Sequence, residues 1–217
     1  MKIIDLTVAL DENASIYPQK EYKAPDFVYV LDPTIDPAGR YASDIRVMVH
    51  TGTHIDTPKH FNNKSTTSEM SLEVICGEAI VCKLPRTISG PITKEMVASM
   101  IPDDMETAGK RLVLMCGYNN ALWGSDEYYS DHTAYVSPEL AAWIVEKGFV
   151  LVGLDMLTDG LPGFPVHHKL LDNHVYILEC LTNYDAIPEG VSIMTLITAP
   201  LPLVNREAAP VRAFLIR

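Results

Sequence analysis

Three histidines and an aspartate fall within eleven residues, His50-Thr51-Gly52-Thr53-His54-Ile55-Asp56-Thr57-Pro58-Lys59-His60, and these are three of only seven histidines in the chain. Neutral imidazole and carboxylate are the common ligands of zinc and related divalent cations. The spacing His-x3-His-x-Asp-x3-His can bring several of these groups to one point. A polar loop with backbone-bonded histidines is the plainer alternative, but four donors beside a Gly and a Pro favour a metal site.

The elements around the cluster decide how it converges. Residues 44–49 alternate with β-branched positions and predict a strand ending at His50. Gly52 permits a sharp turn, and Pro58 disfavours a helical residue before it. His54 and Asp56, two apart, share a face if the chain is extended. The pattern therefore predicts a cup at a strand end and not a helical His pair.

A second half of the site must come from elsewhere in the chain. Asp155, Asp159, His167, His168, His174 and Glu179 are the candidates. Glu179 ends the apolar run 175–179 on the face of Val175 and Ile177, and a carboxylate in a buried strand needs a partner or a cation. A salt bridge or an exposed strand end would satisfy it equally well.

The rest of the chain reads as alternating strands and helices. Strands are predicted over 2–10, 27–31, 78–84, 111–116, 149–155, 175–181, 191–197 and 211–216. Thr93 caps a short helix with Met96, Val97 and Met100 on its buried face. Ser137-Pro138-Glu139 is a strong helix start, and Gly148 a good stop. A strand–helix–strand order here implies a crossover onto a covered sheet. Residues 11–25 form a loop holding Tyr17, and 61–67 a polar loop. No repeat or linker divides residues 1–217, so one domain is expected.

Composition limits the partners. Of the 217 residues, 47% are hydrophobic and 21% charged, an ordinary globular balance. A formal net charge of −11 without a basic run argues against nucleic acid and anionic membrane surfaces. The N-terminus reads as a first strand, no apolar run reaches transmembrane length, and the four cysteines show no CxxC pair. Free buried thiols and a cytoplasmic setting follow as expectations.

His50-Thr51-Gly52-Thr53-His54-Ile55-Asp56, with Pro58 and His60, resembles the signature of the cyclase-like metal-dependent hydrolases, which include bacterial-type kynurenine formamidases and isatin hydrolases. The likeness extends through Trp123-Gly124 with Tyr128, and through His167-His168-Lys169-Leu170-Leu171 to Glu179. It implies an α/β fold: one sheet-rich domain with a mixed, barrel-like core and a few covering helices, of the swivelling β/β/α type. It also implies two divalent ions, zinc or manganese. His50, His54 and Asp56 would hold one; Asp56, His167 and Glu179 the other, with Asp56 bridging. His168 then takes a position where Arg is common, and His174 a turn position where Gly is common. His60 would be the general acid–base, a third ligand on the first ion being the alternative. Tyr17 would contact substrate. The implied reaction is hydrolysis of a C–N bond in an aryl formamide or cyclic amide by metal-bound hydroxide, and the implied assembly a homodimer or homotetramer. A lactone hydrolase, a cyclase-type dehydratase and a non-catalytic metal-binding scaffold are the alternatives.

Overall fold

The computed structural model describes residues 1–62, 64–130 and 133–217. The first quarter of the chain gives β1 (Ile3–Asp5), β2 (Asp26–Leu31), β3 (Ala42–Arg46), β4 (His54–Asp56) and the one-turn helix α1 (Lys59–Asn62). Then come α2 (Leu72–Ile75), β5 (Gly77–Lys83), β6 (Gly90–Ile92), α3 (Lys94–Ala98), β7 (Arg111–Met115) and α4 (Tyr118–Leu122). The second half holds β8 (Ala134–Val136), α5 (Pro138–Glu146), β9 (Leu151–Leu154), α6 (Pro165–Leu171), β10 (Tyr176–Glu179), β11 (Gly190–Pro200) and β12 (Ala208–Ile216).

Seven strands close on themselves in the order β4-β12-β11-β5-β7-β9-β10 and back to β4. The stretch β5-β7-β9-β10 is parallel, and the remaining pairings are antiparallel. Strand β1 lies on the same edge of β12 as β4, further along it. The result is the mixed, barrel-like core expected.

Each strand sends alternate residues to two hydrophobic layers. Ile55, Val81, Val113, Leu178 and Leu196 join one layer. Ile80, Leu112, Val152 and Ile177 join the other, with Leu140, Ile144, Val166 and Leu170 from α5 and α6. This second, outward layer matters for function, because His54, Asp56 and Glu179 share the strand parity of Ile177 and not that of Ile55 and Leu178. The parallel β7–β9 pair encloses α5 in its connection, which is the anticipated crossover. Ser137 caps α5 by accepting from Leu140 N at 3.2 Å, and Thr93 caps α3 through Met96 N.

Three expectations change. The strand predicted over 44–49 ends at Arg46, because it pairs only with β2 in a separate hairpin. Residues 47–53 then turn inward, with Thr51 N–H donating to Met48 O at 2.9 Å. The first strand is Ile3–Asp5 and not 2–10. Residues 59–62 of the region read as extended and loop-like form α1, while Asn63 lies outside the described residues. Hairpin β2–β3 leaves Phe27, Val28, Tyr29, Val30 and Ile45 exposed. All four cysteines are free thiols. Among the described residues no helix is long and apolar enough to cross a membrane.

Candidate metal centre and active site

Asp56 is the point on which the donors converge. It ends β4, between β10 and β12, and is fully buried. The β4–β10 register sets His54 directly opposite Glu179, so two donors 125 positions apart become cross-strand neighbours. His54 Nε2 lies 3.4 Å from Asp56 Oδ1 and 3.3 Å from Glu179 Oε2. His50 Nδ1 approaches Asp56 Oδ1 at 3.0 Å and His54 Nε2 at 3.3 Å. His167 Nε2, from α6, lies 3.7 Å from Asp56 Oδ2 and 3.4 Å from Glu179 Oε1. His60, on α1, stacks against His50 with ring centroids 4.2 Å apart.

The turn into β4 depends on Gly52. Its φ is +71°, a backbone angle that favours glycine, and a Cβ there would push on Leu10 Cδ2 at 2.4 Å. Gly52 O in turn accepts from His54 Nδ1 at 2.8 Å, which leaves Nε2 to face the cluster. Thr158 Oγ1 donates to Glu179 Oε1.

Two donor groups can be drawn through Asp56 with ligand atoms mutually within 4.8 Å: His50, Asp56 and His60, and His54, Asp56 and Glu179. This grouping differs from the one implied by resemblance, since His60 shares a group with His50 and Asp56. Neither oxygen of Asp56 receives a well-formed hydrogen bond, though both are buried. A buried carboxylate in that state is costly unless positive charge meets it. Burial opposes the Asp56 charge, but the His50 and His54 rings hold its pKa well below the usual carboxylate range. Glu179 is likewise drawn to about 2, against burial, by His167. Imidazole nitrogens and carboxylate oxygens around an orphaned buried anion are a donor set that fits a divalent cation.

Above the donors opens a cavity of about 740 Å³. His50, Asp56, His60, His167, Glu179 and Cys180 line it together with the rings of Tyr17, Tyr22, Phe61, Tyr129 and Phe164. Tyr17 meets Tyr129 edge-on at 5.4 Å and Phe164 at 6.5 Å. His60 is mostly buried, and that burial pushes its pKa down to about 4.

The structure brings His50, His54, Asp56, His60, His167 and Glu179 together and puts Tyr17 on the cavity wall. Three sequence candidates lie elsewhere. His168 is exposed on α6, beside Asp172. His174 is exposed with φ +59°, which is why its position suits glycine. Asp155 is buried but faces away, accepting from Cys116 N and Gly117 N at 2.7 Å each. Asp159 is near but is bonded to His167 Nδ1 at 2.5 Å, so it reaches the centre only through that ring. Glu207, whose Oε1 is 3.6 Å from His50 Nε2, was not anticipated; its place beside Ala208, which pairs with Asp56, is visible only once β12 is known to join β4.

Residues 4–158 match the family profile "Putative cyclase", and the chain belongs to this family. It is 29% identical to a kynurenine formamidase of Geobacillus thermodenitrificans, over 98% of this chain and 96% of that one. A solved structure described as a predicted metal-dependent hydrolase from Bacillus stearothermophilus superposes with a TM-score of 0.78 at 27% identity, covering 99% and 97% of the two chains. Isatin hydrolase A from Labrenzia aggregata shares the fold at a TM-score of 0.82 and 20% identity, over 99% and 93%. The protein is accordingly an enzyme of the hydrolase class.

Proposed function

We propose that this enzyme hydrolyses the C–N bond of an aryl formamide or a cyclic aryl amide. The observation that carries this reading is the cavity itself: a cluster of His and carboxylate donors and a set of aromatic rings line the same space. Rings on the wall offer stacking and edge contacts to a flat substrate ring. The names of the kynurenine formamidase and isatin hydrolase relatives point to the same substrate class.

His50, His54, Asp56, His167 and Glu179 would hold one or two divalent cations, zinc or manganese, with Asp56 shared. Such cations polarise a carbonyl oxygen and acidify water when bound. His60, against the His50 ring and open to the cavity, takes the proton released as water adds to the amide carbon. It returns that proton to the leaving nitrogen as the C–N bond breaks, giving carboxylate and amine. Phe61 and Phe164, 5.6 Å apart, bound the space in which the ring is positioned.

The test is turnover of formanilide, a cyclic aryl amide and a lactone by protein loaded with zinc or manganese, beside its His60→Ala variant. The amides should be hydrolysed in preference to the lactone. The variant should keep its metal and lose about 10²–10⁴-fold in kcat, the usual worth of a general acid–base. Loaded protein that is inert toward every amide would overturn the reading. A metal-depleted, metal-rescued His60→Ala would make His60 a ligand.

A further inference from the structure

We propose that Asp159 is a positioning residue that holds the His167 ring in its ligating orientation and locks that ring to the start of helix α6. The proposal rests on the reading of the Asp56 cluster as a cation site, and concerns a residue outside it.

Among the described residues Asp159 accepts three hydrogen bonds, all from one short stretch. Oδ2 accepts from His167 Nδ1 at 2.5 Å and from the His167 backbone N–H at 3.1 Å. Oδ1 accepts from Val166 N at 2.8 Å. Helix α6 begins at Pro165, after Phe164, whose backbone is left-handed (φ 54°, ψ 47°) and whose apolar side chain cannot accept a hydrogen bond. The first free amides of α6 therefore take their acceptor from five residues upstream of Phe164, where an adjacent Ser, Thr or Asp would ordinarily serve.

The consequence for the ring is specific. A carboxylate oxygen accepts here, so Nδ1 carries hydrogen and Nε2 is the ring nitrogen turned to Asp56 and Glu179. His54 is fixed the same way by Gly52 O, a backbone group that no side-chain change removes. His167 is fixed by a side chain and is correspondingly vulnerable. The neighbouring residue adds to this: Thr158 donates to Glu179, so adjacent residues orient both donors of this half of the site. Gly160 then lets the chain pass over the Tyr135 ring, where a Cβ would sit 2.2 Å from a ring carbon.

The experiment is a double-mutant cycle on zinc affinity together with the proton spectrum of 15N-labelled histidine in metal-free protein. Asp159→Ala should weaken zinc binding about 10–100-fold, the usual effect of losing a carboxylate behind a ligating histidine. Asp159→Asn, which keeps one acceptor and no charge, should fall between it and wild type. In His167→Ala background, Asp159→Ala should cost zinc affinity nothing further, because it acts through that ring. The slowly exchanging Nδ1–H of His167 should be present in wild type and lost in Asp159→Ala. Additive losses in the double variant, or an unchanged ring proton in Asp159→Ala, would overturn the proposal. Wild-type protein that takes up no zinc, with the ring proton behaving as expected, would sink the cation site and leave the positioning role standing.

Discussion

The two halves of the candidate site are held in place by different means. His54 and Asp56 stand on β4, locked between β10 and β12 in a closed sheet. Their geometry is backbone geometry, and even the His54 tautomer is set by a main-chain oxygen. His167 stands on a seven-residue helix outside the sheet, and a side chain from a loop orients it. The sheet half should thus fail when a donor or the Gly52 turn is lost, and tolerate other changes nearby. The helix half should fail when either a donor or its support is lost.

The largest effect is expected at the residue both halves share. Asp56→Asn should remove bound metal altogether and take activity below detection, while far-UV circular dichroism stays close to wild type. Metal analysis of the purified variant checks this; full occupancy would show that the two donor groups do not depend on Asp56.

A smaller, more selective loss tests the helix half. His167→Ala should lower metal stoichiometry and activity, whereas His168→Ala should leave both near wild type, because His168 is exposed and turned toward Asp172. The reverse order would mean that the other face of α6 carries the ligand.

The mildest effect concerns Asp155, which separates site from support. Burial pushes its pKa up to about 6 against the pull of two backbone amides. A carboxyl whose folded pKa is raised stabilises most below its unfolded pKa, near 4, and loses that contribution as pH rises through 6. A shift of about two units corresponds to on the order of 3 kcal/mol. Asp155→Asn should lack this dependence, since its amide does not titrate. Urea unfolding of both proteins between pH 4.5 and 7.5 should show wild type losing stability relative to the variant. Parallel curves would refute the assignment. Zinc affinity should be the same in both.

The contrast between the halves also explains what could be read from the residues alone. The cluster at 50–60 is contiguous, so its donors were visible as a spacing, and Glu179 was visible through strand parity with Ile177. Strand β4 itself was not. Its three residues include two polar ones, and only pairing with β10 and β12 makes them a strand. Helix α6 escaped because Phe164 offers no capping signal and the acceptor comes from Asp159; Pro165, a favoured first helical residue, was the one local cue. The barrel-like architecture was expected from resemblance, but its closure between β4 and β12 is a long-range pairing that no local pattern encodes.

That closure has a consequence for how the protein is made. Asp56 pairs with Ala208, so its strand waits for a partner synthesised more than 150 residues later. At roughly 5–20 residues per second, the interval is on the order of ten to thirty seconds. Throughout it, the His-rich segment emerges from the ribosome with three imidazoles and a carboxylate but without the sheet that shapes them. The segment is then only a flexible run of donors, and the shaped cluster around Asp56 is among the last features of the molecule to form.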